Sequence, residues 1–243
     1  MSRESQCPSC SRTSCSRTFF ASGKEKFLDK LLGKQNREDQ LEQFWNELER
    51  RGDPRLDNHP MTRRPGWRRK AIPFAVHGDA VPVVAVGKAG TKSLDCVSIH
   101  SVLAKGSTMA IKWWVVALCL QKFAPETSDA AWKVMVWSLV AMFRGCHPAS
   151  NWDDEDWGVG TSEKMLGDSD VKLADGFFGV VWSIKGDLDW FSKEFGMMKY
   201  RENADPCDWC PCSKIGHPSN WPHCFDATSQ WKNAIRTRDQ WRA

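Results

Sequence analysis

The hydrophobic positions change period along the chain. Between Gly23 and Arg51 they recur at helical spacing. Phe27, Leu28, Leu31 and Leu32 make one stripe, and Leu41, Phe44, Trp45 and Leu48 make a second at i, i+3, i+4, i+7. The pattern predicts an amphipathic helix over residues 23–52, broken at Gly33 and stopped by Gly52-Asp53-Pro54, that packs on the domain or on a partner helix. Pro54, Pro60 and Pro65 then erase any period, so residues 53–71 read as an irregular linker and a domain boundary. From Ala71 to Lys122 the apolar runs are short and rich in β-formers. Ile72–His77, Val81–Val86, Ser93–Leu103 and Met109–Leu120 are the expected strands, with Pro82 marking an edge or bulge. Short turns between them imply an antiparallel meander. Helical spacing returns over Ala130–Arg144 (Trp132, Val136, Leu139, Val140, Phe143), with Ser128-Asp129 as the cap and Gly145 as the stop. Residues 146–175 are irregular and acidic, an exposed insertion. Phe177–Ile184 has strand length and composition, Gly186-Asp187 breaks it, and Leu188–Phe195 is a short amphipathic helix.

An antiparallel meander followed by a helix, an insertion, a further parallel strand and a helix is the order of the RNase H-like fold. The expected class is α/β (α+β): an RNase H-like mixed sheet over 72–200 with an antiparallel meander and flanking helices, an N-terminal helix, and a C-terminal Cys-rich zinc appendage over 201–243. In that architecture the first and fourth strands lie side by side at the sheet centre. Asp79 is expected to end the first and Asp187 the fourth, which brings two carboxylates together. Adjacent carboxylates repel, and a divalent ion relieves them. Mg2+ suits an all-oxygen site, and two such ions activate water in phosphodiester cleavage. On its own, a Gly-Asp after a strand is more often a turn. His77 reads either as a ligand or base, or as a strand-end histidine making a hydrogen bond. Asp95, Asp175 and Asp189 are further carboxylates to weigh.

Composition sharpens this picture in three places. Hydrophobic residues make up 41 % of the 243, enough to build a core and to exclude a disordered chain. The 14 Trp against one Tyr promise large apolar contacts whose N–H groups need partners. The net charge of +4 hides a gradient: residues 1–71 hold 16 Lys and Arg against 10 Asp and Glu, and the remainder 18 against 20. The excess concentrates in Arg50, Arg51, Arg55, Arg63, Arg64, Arg68, Arg69 and Lys70, which form either a phosphate-contacting surface for DNA or a solvated linker.

Residues 1–22 are Ser-, Cys- and Arg-rich, expected to be disordered, and lack the apolar core of a signal peptide. No run is long enough to span a membrane, so an intracellular chain with no membrane partner is expected. Its ten cysteines then read as thiols or metal ligands rather than disulfides. Cys207-x-x-Cys210 has the reach to grip one tetrahedral Zn2+, with further ligands to come from Cys212, His217, His223 and Cys224; the alternative is free or buried thiols. Cys7-x-x-Cys10 is half such a site by spacing.

His77-Gly78-Asp79-Ala80-Val81-Pro82, Gly186-Asp187-Leu188 and Pro206-Cys207-x-x-Cys210 together resemble the pattern of eukaryotic cut-and-paste transposases of the Plavaka/Kyakuja-Dileera-Zisupton type. The same residues are similar to multicopy mobile-element-like proteins of dinoflagellate algae. The similarity covers roughly residues 72–231. It implies an RNase H-like core with an acidic triad, DNA as partner and a nuclear location. Asp79 would be the first acidic residue, Asp187 the second, and Cys207 and Cys210 zinc ligands. The family's third acidic residue follows a long insertion and a helix. Glu202, Asp205, Asp208, Asp226 and Asp239 have no such setting, which implies a truncated or domesticated remnant, inactive by itself. The second function class is a zinc-stabilised binding module without catalysis, and the third a Trp-rich interaction scaffold.

Overall fold

The computed structural model describes residues 29–33, 37–83, 92–119, 126–169, 171–174 and 176–197. Its centre is a four-stranded mixed sheet. The strands are β1 (Ala71–Val83), β2 (Lys92–Ser101), β3 (Trp113–Cys119) and β4 (Phe178–Lys185), in the order β3-β2-β1-β4. β1, β2 and β3 are antiparallel neighbours, and β4 lies parallel to β1. The expected meander and the parallel last strand are both present.

The first strand corrects the sequence reading. Gly78-Asp79 does not end it. β1 continues through Val83, pairing with β2 as far as Val83↔Lys92, so the two runs read as separate strands are one. Pairing with β4 stops earlier, at His77↔Lys185. Beyond that point β1 has one neighbour among the described residues, and Pro82, which has no N–H to give, falls there. β3 also begins later than expected: Thr108–Ile111 is a helical turn ahead of it.

The N-terminal pattern resolves into a helical turn over residues 29–32, Gly33 at φ +83°, and helix α1 (Arg37–Arg50). A positive φ is cheap only for glycine, so the break falls where the pattern placed it. Residues 53–71 are not an irregular linker. They form 3-10 turns at Pro54–Leu56 and Pro60–Arg63, followed by helix α2 (Trp67–Lys70). Leu56, Met61 and Trp67 from this stretch are buried. Trp45 of α1 is fully buried, donates its indole N–H to the Ala71 carbonyl at 2.9 Å, and meets Trp182 of β4 edge-on at 4.9 Å. α1 is thereby fastened to the sheet, and the expected boundary at 53–71 is not one. The chain instead divides after Lys185, into Met1–Lys185 and Gly186–Ala243.

The long helix, α3 (Thr127–Arg144), packs on β4. It starts ahead of the expected Ser128-Asp129 cap, with Glu126 at the N-cap position, whose side chain makes no cap bond. Gly145 ends it in the left-handed conformation. Where α3 meets β4, a Cβ on Gly179 would fall 2.9 Å from the Phe74 ring and 3.3 Å from Met142 Cβ. The acidic insertion is ordered where described. It carries α4 (Ser162–Asp168) and is closed by His147 N–H to Val171 O and Leu173 N–H to Gly145 O. Trp137 donates to Ser150 O and Trp157 to Pro148 O, which answers two of the indole N–H groups.

In the second unit, the described elements are Gly186, Asp187 and α5 (Leu188–Phe195), whose Trp190, Phe191 and Phe195 rings stack on one another. Among the described residues, no helix is long and apolar enough to cross a membrane.

Candidate functional site

Strand registry sets three rows of side chains across one face of the sheet, because residues paired across strands project to the same side and alternate along each strand. The first row runs His100 (β2), Ala75 (β1), Ser183 (β4). Lys112 stands one step before Trp113, which pairs with Ile99, so it extends this row beside His100. The second row is Ser98, His77, Lys185, and the third Cys96, Asp79. Asp95 pairs with Ala80 and belongs to the opposite face. The polar residues of the two central strands thus collect where pairing between β1 and β4 ends.

The rows differ in solvent access. Asp79 and Lys185 are exposed, His77 is half-buried, and Cys96, Ser98 and His100 are buried. His100 is 8 % exposed, and its Nδ1 makes no hydrogen bond. A buried polar atom left in that state costs about 1–3 kcal/mol. The face therefore opens at Asp79 and Lys185 and closes toward an unanswered imidazole nitrogen.

Electrostatics on this face are cationic. Burial lowers the pKa of His100, and the charges of Lys185 and Lys112 and the His77 ring add to it. His77 is lowered chiefly by burial and by Lys112, with Asp79 opposing and Lys185 adding a little. Both rings are therefore neutral near pH 7, each with one N–H to donate. Burial raises the Cys96 thiol, and Asp95 and Asp79 raise it further, so it is protonated and unsuited to nucleophilic attack.

Asp79 thus stands exposed on β1, not at a strand end. Asp187 lies in the second unit as the N-cap of α5, its Oδ1 accepting the Trp190 N–H at 2.7 Å. Asp189 is an exposed residue of the first turn of that helix. A Mg2+ ion suits one or two carboxylates together with substrate oxygens. Among the described residues, however, no three His, Cys, Asp or Glu side chains gather to hold a metal. Asp79 is the one carboxylate among the paired residues of this face, and two lysines share it. These residues do not fit a Mg2+ centre, so no step is derived through one. Cys207, Cys210, Cys212, His217, His223 and Cys224, with Asp175, Glu202, Asp205, Asp208, Asp226, Asp239 and Cys7 and Cys10, lie outside the described residues.

The basic segment is largely engaged within the fold. Arg50 and Arg51 both bond Glu47, and Arg55 bonds Asp53 and the Trp182 carbonyl. Arg68 reaches Glu49, Arg69 reaches Glu38, Asp39 and Glu42, and Lys70 reaches Glu38. Arg63 and Arg64 make no ion pair among the described residues. The Arg64 guanidinium lies over the Phe178 and Phe143 rings, at 4.3 and 4.7 Å. Six of the eight positions thus carry carboxylate partners, and Arg50 and Arg51 remain largely exposed. Arg68, Arg69 and Lys70 tie α2 to α1, and Arg55 and Arg64 tie the 3-10 turns to β4. Exposed pairs of this kind are worth at most about 1 kcal/mol each, so a phosphate can compete for them.

The sequence reading singled out Asp79 and His77. It missed Lys112, Lys185, Ser98 and His100. The signal that finds them is registry: His100 and Ser98 alternate with apolar residues in a strand whose partner carries His77 two places before Asp79. No family model matches the chain, and neither does any curated protein or solved structure.

Proposed function

We propose that this chain carries a transposase-derived domain of RNase H-like architecture that holds nucleic acid rather than cutting it by itself. The observation that carries the reading is the sheet: a meander of three antiparallel strands, with a fourth reached after a long helix and laid parallel to the first, in the order β3-β2-β1-β4. That is the arrangement the family resemblance implies. The non-cutting part of the reading rests on the cationic character of the face around Asp79. DNA is the partner, met by the backbone-attracting lysines of this face and by those arginines of Arg50–Lys70 that can leave their carboxylates.

The test is fluorescence anisotropy with single- and double-stranded DNA over a range of salt, alongside a cleavage assay with Mg2+ and with Mn2+. Expected are binding that weakens linearly in log salt and no cleavage. Absence of binding at about 50 mM salt, where phosphate contacts are strongest, removes the nucleic-acid reading. Metal-dependent cleavage abolished by Asp79→Asn removes the non-cutting part.

A second reading is favoured by the division of the chain at Gly186, which sets the cysteine-bearing tail in a unit of its own. In this reading Cys207, Cys210 and two of Cys212, His217, His223 and Cys224 hold a structural Zn2+, and the tail is a binding module. One zinc per chain by elemental analysis, lost in Cys207→Ser, is the expected result. A metal-free protein of unchanged stability under chelator removes it.

A further inference from the structure

We propose that the face formed by Lys112, His100, His77 and Lys185 is an oxyanion site for a phosphate-class ligand. The lysines would supply charge and the imidazoles N–H donors. Sheet registry places His100, His77 and Lys185 on one side, and Lys112, extended and one residue ahead of the paired Trp113, continues the first row beside His100. Ala75, buried, stands between His100 and Ser183 in the first row and carries no polar side chain.

One feature independent of the lysines points to a ligand. The His100 Nδ1 is buried and makes no hydrogen bond, although the ring sits on a face that opens to solvent at Lys185. Neutral imidazoles beside two ammonium groups are also poor cation ligands and good oxyanion donors. The charge balance agrees: among the described residues of the face, two lysines against the carboxylate of Asp79 leave it positive even with both histidines neutral. A tetrahedral oxyanion can take bonds from Lys and His on separate strands at once, whereas a carboxylate offers two oxygens. That geometry selects the phosphate class. The shared chemistry is the phosphate group, whether from a nucleic-acid backbone or a phosphorylated small molecule. The inference requires neither Asp187 nor a metal ion and does not rest on the transposase reading.

The test is calorimetric titration of the full chain in EDTA, first with inorganic phosphate and then with a short single-stranded DNA oligonucleotide. Both are repeated on Lys185→Gln, Lys112→Gln and His100→Gln. Saturable phosphate binding, weakened about tenfold by each lysine change, is expected, the scale of one charge-assisted hydrogen bond. If His100→Gln does not fold, the lysine variants carry the result. Phosphate binding that the oligonucleotide displaces supports the site and identifies the backbone as its ligand. Phosphate binding that the oligonucleotide leaves untouched supports it as a small-molecule site and counts against the nucleic-acid reading. No saturable phosphate binding, equal binding by wild type and both lysine variants, or binding only in the presence of Mg2+ overturns the inference. Oligonucleotide binding indifferent to both lysine changes overturns it while leaving the nucleic-acid reading in place.

Discussion

Replacing Trp45 by Ala tests whether α1 belongs to the sheet domain or merely rests beside it. The side chain is wholly buried. Its ring meets Trp182 at 4.9 Å, Trp67 at 5.5 Å and Phe44 at 4.8 Å, and its N–H bonds the Ala71 carbonyl. Removing a buried Trp costs about 3–5 kcal/mol in lost transfer energy and cavity. Trp45→Phe keeps most of the ring packing but loses the bond to the Ala71 carbonyl, for about 1 kcal/mol. A control, Val159→Ala at a fully exposed position, should stay within about 0.5 kcal/mol. The decisive assay is hydrogen exchange of the Val76 and Ile99 amides in β1 and β2, read beside a urea unfolding curve. If α1 is part of one cooperative unit, Trp45→Ala lowers protection in the strands by nearly the full destabilisation. Faster exchange confined to α1, with Val76 and Ile99 unchanged, would refute the reasoning and restore a separate helix joined by a linker.

Other changes follow from the same geometry. Gly179→Ala places a Cβ against the Phe74 ring and Met142 where α3 meets β4, and should cost about 1–3 kcal/mol by overpacking, measured by urea midpoint. Asp187→Ala removes the cap bond of α5 and should cost that helix about 1 kcal/mol, whereas Asp187→Asn should cost little, since its side-chain oxygen still accepts. If both lower the helical circular dichroism signal equally, the capping account is wrong. Stability should also fall on acidification. Burial holds His59, His77 and His100 below the ordinary value of 6.5, so between their folded values and 6.5 the unfolded chain binds more protons. Their contribution is complete above about pH 6.5 and is lost as pH drops below it. A urea midpoint that stays level from pH 7 to pH 5 would contradict this.

Much of the fold is legible because its rules are local. The stripe of Leu41, Phe44, Trp45 and Leu48 marks α1, and the β-branched runs mark β2, β3 and β4. What failed was punctuation. Gly78-Asp79 looks like a turn, yet pairing with Cys96 and Val97 of β2 holds both residues extended, and a dipeptide propensity yields to a ladder on one side. The prolines of residues 53–71 break regular periods, but short 3-10 turns accept proline at their first positions, and Leu56, Met61 and Trp67 anchor them. The site was half legible for a related reason. Asp79 announces itself beside Gly78, while His100 and Lys185 become its neighbours only once the register of three strands is fixed.

Charge makes the same point about where a partner would bind. Along the sequence the basic residues crowd between Arg50 and Lys70, and a linear reading puts the phosphate contacts there. In the fold, residues 37–70 carry nine Lys and Arg and seven Asp and Glu, and most of those carboxylates are bonded to the arginines in question. The local field is then that of a nearly neutral, internally paired surface, and such pairs add little to attraction at a distance. Lys112 and Lys185 lie outside that crowded segment, yet among the described residues no carboxylate pairs with either one. Two lysines over a half-buried floor of imidazoles exert more pull on a phosphate than several arginines already satisfied. If a polyanion binds this protein, charge reversal at Lys185 should weaken it more than charge reversal at Arg50, although Arg50 lies in the more basic neighbourhood. Equal losses from Lys185→Glu and Arg50→Glu, measured by anisotropy at one salt concentration, would show that charge density along the chain, and not its placement on the sheet, governs the encounter.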